Sequence, residues 1–221
     1  MTVHTAKSEA TRALLVETAL RLFREQGYDK TTMRAIASAA GVSTGNAYYY
    51  FSSKDDLVQE LYLSLQDEHR SASLPLLREG QNLGEHLRAI LHCGIDVMAP
   101  YHEFGSNFIS VAIQPASDAN PFSRDSAVAR AKSIALFNHA VTTARPQPPM
   151  AIRADLPELL WLVYMGVTLF WVYDKSPGQQ RTRRLIDNAA PLIAKLVILS
   201  RLPVVRKIVD DVVQLIKNAK R

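Results

Sequence analysis

In the stretch Thr31-Thr32-Met33-Arg34-Ala35-Ile36-Ala37-Ser38-Ala39-Ala40-Gly41-Val42-Ser43-Thr44-Gly45-Asn46-Ala47-Tyr48-Tyr49-Tyr50-Phe51, apolar residues recur every three or four positions on both sides of one glycine. The spacing predicts two short helices, about 32–40 and 44–50, joined at Gly41-Val42. Helices that cross steeply need a small residue at their contact, which Ala37 supplies. They also need a tight left-handed turn, which Gly41 supplies without steric cost. Met33, Ile36, Val42, Ala47 and Phe51 are then the inward residues, and Thr44, Asn46, Tyr48, Tyr49 and Tyr50 lie on the opposite face of the second helix. Successive helix positions are about 100° apart, so three consecutive tyrosines cannot all be buried. Hydroxyls bond phosphates, asparagine reads adenine and rings touch thymine methyls, so such a face suits a DNA major groove.

The same periodicity continues in both directions. Ser8 is read as the cap of a first helix with Leu15, Ala19, Leu22 and Phe23 inward and Gly27 as its stop. Ser53-Lys54-Asp55-Asp56 has the form of a capping box and opens a fourth helix, ended at Pro75. Further helices are expected at about 83–98, 103–114, 122–144, 156–173, 179–200 and 204–219. Asp155 and Ser176 are expected as caps, each three residues before Glu158 and Gln179, and Pro191 as a kink. No stretch alternates in strand fashion, so the fold class is all-α.

Composition narrows the function. Of 221 residues, 48% are hydrophobic and 21% charged, which excludes a disordered chain. The single cysteine, Cys93, excludes a disulfide framework and a cysteine-based zinc site. The longest uncharged apolar run, Leu159 to Tyr173, is shorter than the roughly 20 residues of a membrane span, and Met1 to Arg12 has no signal-peptide core. The expected compartment is the cytoplasm, with no membrane partner. Net charge is +5; residues 1–54 carry seven basic and four acidic side chains, and residues 175–221 eleven and three. The excess therefore lies in the tail, and affinity for a polyanion must come from local placement. No phosphate-binding, dinucleotide, nucleophile-elbow or His-Glu-x-x-His motif is present, so no enzyme, cofactor or metal is expected. His92 and Asp96 share a helix face but lack a third ligand.

Gly27-Tyr28-Asp29-Lys30-Thr31-Thr32-Met33-Arg34-Ala35-Ile36-Ala37, with Ala40-Gly41-Val42-Ser43-Thr44-Gly45-Asn46-Ala47-Tyr48-Tyr49-Tyr50-Phe51-Ser52-Ser53-Lys54-Asp55-Asp56-Leu57, resembles the DNA-binding domain of the TetR family of bacterial regulators. The resemblance implies a helix-turn-helix domain at 9–69, its motif at about 32–51, and a helical ligand-binding and dimerisation domain at 70–221. It implies a homodimeric repressor on a pseudo-palindromic double-stranded DNA operator, released by a small-molecule effector. The alternative is an architectural or partner-binding protein without an effector. By the same resemblance, Thr32, Met33 and Arg34 lie beside the phosphates. Thr44, Gly45, Asn46, Tyr48, Tyr49 and Tyr50 are recognition-helix positions, and Lys54 contacts a phosphate. Asn46 and Ala47 depart from the residues usual at their places.

In the larger block, the helix around Leu159 to Trp171 is apolar on every face, so a second subunit is expected to cover part of it. Its expected interface residues are Trp161, Tyr164, Met165, Thr168 and Leu169, with Leu185, Leu192 and Leu196 from the next helix. Candidate pocket residues for a small, mostly apolar ligand are His92, Cys93, Met98, Tyr101 and His102, with Phe104, Phe108, Phe137 and His139. The last helix is read as packing on its own bundle with its basic end in solvent.

Overall fold

The computed structural model describes residues 3–102 and 120–202, together with Lys207, Asp211, Gln214 and Asn218. Every regular element among the described residues is helical. Two compact units form, Met1–Leu65 with Pro100–Arg130, and Gln66–Ala99 with Ala131–Arg221.

In the first unit, α1 (Val3–Gln26) buries Leu15, Ala19 and Phe23, one face at helical spacing, and ends where Gly27 takes φ +86°. It begins before the expected cap: Thr5-Ala6-Lys7 contains no breaker, so the helix runs through Ser8. α2 (Met33–Ala39) is capped by Thr32, whose hydroxyl accepts from the Ala35 amide at 3.1 Å. The chain reverses at Gly41, φ +68°, with the Val42 amide donating to the Ala37 carbonyl at 3.0 Å. α3 (Thr44–Tyr50) starts at Ser43, which accepts from the Asn46 amide at 3.1 Å. α4 (Lys54–Ser73), whose residues to Leu65 belong to this unit and the rest to the second, opens on the expected reciprocal cap: Ser53 Oγ accepts from the Asp56 amide at 3.1 Å, and Asp56 accepts from the Ser53 amide at 3.2 Å. Ile36, Ala37, Ala47 and Val58 are wholly buried with the α1 face, so a single apolar core fixes the three short turns of chain between them.

In the second unit, α5 (Leu83–Met98) carries a capping box between Asn82 and Glu85. α6 (Ala127–Thr143) starts later than the pattern from 122 implies. A short α7 (Met150–Arg153) precedes α8 (Leu156–Tyr173) and α9 (Gln180–Leu199), and α9 continues through Pro191. α5 and α9 meet almost backbone to backbone, since a Cβ on Gly84 would lie 3.2 Å from Pro191 Cα. The expected helix at 103–114 lies outside the described residues, as does nearly all of that at 204–219.

Of two expected caps, one is absent and one is shifted. Asp155 makes no side-chain cap bond, and Ser176 Oγ accepts from the Arg181 amide in the first turn of α9 at 3.2 Å. Asp174, buried at the end of α8, does the joining instead: it accepts from the Ser176 amide and hydroxyl at 2.9 and 2.6 Å, and from the Thr182 amide and hydroxyl at 2.8 Å each. Burial opposes its ionisation, but these four donors outweigh it and hold the carboxyl well below the usual carboxylate range.

Candidate functional site

Helix α3 is held by the wholly buried Ala47 and the half-buried Tyr50, and offers its other side chains to solvent. Thr44, Gly45 and Asn46 are exposed, Tyr48 is 52% exposed and Tyr49 79%. Tyr50 is half-buried, packs on the core and meets Tyr49 edge-on at 5.2 Å. It therefore props the outermost ring as much as it faces outward. A seven-residue helix that exposes two hydroxyl-tipped rings, a threonine and an asparagine around its outer side is shaped for groove entry.

The flanks differ from the expected set. Arg34 and Thr32 are exposed, but the Met33 side chain is buried, so only its backbone is left to face a phosphate. Its place in the first turn of α2 turns it onto the core with Ile36 and Ala37. Lys54 is half-buried: its ammonium donates to the Tyr28 carbonyl at 2.8 Å and lies 4.1 Å from the centre of the Tyr28 ring. Burial lowers its pKa against the pull of Asp29 and Asp55. The Tyr28 hydroxyl donates to Asp55, so one tyrosine ties the loop before α2 to the start of α4. Burial first, then the Asp55 bond, pushes the Tyr28 phenol up. The sequence pattern held no sign of this strut, because its partners are 26 and 27 residues apart.

The expected interface residues fall on two faces of α8. Trp161 and Tyr164 are buried within their own unit, which corrects their assignment to a partner-facing surface. The 100° step puts them on one stripe with Val167 and Trp171, whereas Leu169 and Phe170 face solvent. Met165 and Thr168 are half-buried. On α9, Leu185, Leu192 and Leu196 are exposed, the last two by half or more. By length and composition α8 is also long and apolar enough to cross a membrane, a test that the core helix of a folded unit passes too.

The candidate pocket residues are not gathered in one place. Tyr101 and His102 belong to the first unit, and Phe104 and Phe108 lie outside the described residues. His92 sits on the surface of α5, 3.0 Å from Asp187, which also pairs with Arg88. Cys93 and His139 are half-buried. Met98 and Phe137 do converge, both on Tyr164: its hydroxyl reaches Met98 Sδ at 3.7 Å, and its ring lies 6.1 Å from Phe137. His69, which is not among the candidate residues, completes this contact at 5.2 Å. Its sequence neighbours one turn away on α4, Gln66 and Ser73, are polar as well, so the apolar spacing of α4 does not single it out. Separately, a cleft of 460 Å³ in the first unit is lined by Arg12, Val16, Leu20, Glu60 and Tyr101 among others. No group of His, Cys, Asp or Glu among the described residues is arranged to hold a metal.

Comparison with known proteins places this geometry. Residues 15–61 match the family model described as bacterial regulatory proteins, tetR family, and residues 86–215 that of the tetracyclin repressor-like C-terminal domain. The transcriptional regulator TtgR of Pseudomonas putida is 44% identical over 69 residues, 30% of this chain and 33% of that protein. The chain thus matches about a third of the length of such curated relatives. Among solved structures, a TetR transcriptional regulator from Nitrosomonas europaea superposes with a TM-score of 0.60 at 17% identity, covering 82% of this chain and 96% of that one. The regulator FadR from Bacillus subtilis, solved with stearoyl-CoA, gives 0.63 at 14% identity over 80% and 96%. These structural likenesses carry the fold alone. The C-terminal match by itself covers more than half of the chain, which belongs to the TetR family of bacterial transcriptional regulators.

Proposed function

We propose that the chain is a cytoplasmic, homodimeric repressor that binds a pseudo-palindromic DNA operator and releases it when a small, mostly apolar effector binds the second domain. The observation that carries this reading is α3, whose Thr44, Asn46, Tyr48 and Tyr49 are exposed on a helix anchored by Ala47. In this reading Arg34, Thr32 and Lys54 meet phosphates on either side. Residues 9–69 form the DNA-binding domain and 70–221 the effector and dimerisation domain. Leu169, Leu185, Leu192 and Leu196 form the surface between copies, because four large apolar side chains in water gain most by facing their equivalents across a two-fold axis. Dimerisation in turn sets two recognition helices about 34–36 Å apart, one turn of duplex. Regulation rather than catalysis is the role proposed.

Selection of bound sequences from a random duplex library tests this directly. The expected product is an inverted repeat bound by a dimer, with sedimentation giving two chains per duplex. Enrichment of no sequence, or of a site bound by one chain, would overturn the reading.

A further inference from the structure

The interior of the second unit holds polar atoms that the fold leaves unmatched. His69 Nε2 lies 2.8 Å from the Ile90 carbonyl. A carbonyl only accepts, so Nε2 carries the hydrogen and Nδ1 is the bare acceptor of a neutral ring. Burial, partly opposed by that bond, also drives His69 towards its neutral form. His69 is 1% exposed, and its Nδ1 has no hydrogen-bond partner. One turn earlier on α4, Gln66 Oε1 is buried and unpartnered too, as is the hydroxyl of Ser133 on α6. Gln66 and His69 lie three residues apart on α4, and Ser133 lies on α6, the helix that α4 pairs with at this level. Asp67 and Lys132, their immediate sequence neighbours, are paired at 2.5 Å and fasten α4 to α6 at that level. One turn further along, Phe137 and His69 both meet the ring of Tyr164. Gly94 makes this meeting possible, since a Cβ there would lie 2.7 Å from Tyr164 Cε2 and 3.1 Å from His69 Cε1.

The chemistry of the set is specific. Two of the three atoms can only accept, and the hydroxyl can do either; the buried Ser73 and Thr168 hydroxyls of the same unit lie within reach of Cys93 and Tyr164 instead. The one buried carboxylate among the described residues, Asp174, already has four donors, and the Asp67–Lys132 pair is half-exposed and mutually satisfied. A ligand's carboxylate or phosphate would bring more acceptors and an unbalanced charge to this place, and an ammonium would meet no buried carboxylate among the described residues other than Asp174. We infer that the interior between α4, α6 and α8 binds an uncharged, largely apolar molecule that donates hydrogen bonds, from a hydroxyl or amide N–H, to His69 Nδ1 and Gln66 Oε1, with Ser133 as a third contact. This rests on the proposed effector-released DNA binding and names the class of effector.

The test uses the full chain and two skeletons, naphthalene and a ten-carbon alkane. Each is presented as the primary alcohol, its methyl ether, the carboxylate and the primary ammonium. Calorimetry should show the alcohol of at least one skeleton bound about tenfold or more tighter than its ether and both ions, the size of one lost hydrogen bond in a buried site. Ser133→Ala and Gln66→Leu should weaken that alcohol several-fold without lowering the Tm of the ligand-free protein, because each removes an atom the fold does not use. Equal binding of the ether, tighter binding of either ion, or no binding of any of the eight compounds overturns the inference. So does a Tm lowered by several degrees in both variants, which would make these atoms structural. Binding of a selected duplex is scored separately: a chain that selects DNA but fails the alcohol test keeps the DNA reading and loses this one, and the converse result does the opposite.

Discussion

Helix α3 and the α8–α9 surface both leave large side chains in water, and they do so in opposite chemical settings. On α3, Tyr48 and Tyr49 stand among Thr44, Gly45 and Asn46, so every exposed ring has a hydroxyl and polar neighbours. On α8 and α9, Leu169, Leu185, Leu192 and Leu196 offer methyl groups alone, joined by Phe170 and Leu199. A surface that can exchange water for phosphate and base edges differs from one that gains only by excluding water. On the proposed function the first is the DNA-facing helix and the second the surface between copies, and each assignment can be broken by substitution.

The largest effect is expected at the apolar surface. Leu192→Asp with Leu196→Asp removes four leucines from a two-fold interface, at about 1.5–3 kcal/mol each, and puts four carboxylates in their place. Sedimentation should show folded monomers at concentrations where the parent is dimeric, with a Kd raised by about a thousandfold or more. A folded dimer in the double variant would mean that the copies meet elsewhere. At the other end, Tyr48→Ala should cost about 1–3 kcal/mol in binding to a selected operator and leave Tm nearly unchanged, because the ring is half in solvent. Unchanged affinity in a gel-shift titration would remove Tyr48 from the interface.

A smaller effect tests the joint that holds the apolar surface in shape. Asp174 ionises at lower pH folded than unfolded, where a carboxyl titrates near ~3.9. Its contribution is therefore present above that pH and fades as pH falls through and below it. Asp174→Asn should lower Tm at pH 7, since an amide nitrogen cannot accept from its donors, and the gap to the parent should begin to narrow below about pH 4 and go on narrowing as the folded carboxyl takes up its proton. A gap that stays constant from pH 7 to pH 3 would show that the charge is not what closes the α8–α9 joint.

What could be read from the residues in order was local. Gly41 with Ala37, Ser53 with Asp56, and the spans of α3 and α8 each depend on partners within about one helical turn, so their periodicity states them. The same local logic misplaced the start of α1, because Ser8 is a good cap only if something ends the helix before it. It also misjudged Trp161 and Tyr164: an all-apolar helix has no pattern to say which face its own unit will cover. His92 meets Asp187, and Tyr164 meets His69, across 95 residues each, and those pairings follow from helix packing rather than from spacing. The exposed tyrosines were legible for the opposite reason: three in a row cannot all hide on a seven-residue helix.

Lys54 gives the smallest and most selective effect. An ammonium at a helix start opposes the dipole, and here Tyr28 offsets this with its carbonyl and ring face. One of its three N–H donors is used by that carbonyl, which leaves two for a phosphate. If Lys54 meets DNA, Lys54→Ala should weaken all duplexes alike and flatten the plot of log affinity against log salt by about one unit. Tyr28→Phe is the control: it breaks the bond to Asp55 but keeps the carbonyl and the ring, so affinity should fall with the slope intact. An unchanged slope in Lys54→Ala would make Lys54 an internal strut, and the phosphate contacts would then fall to Arg34 and the exposed hydroxyls of α2 and α3.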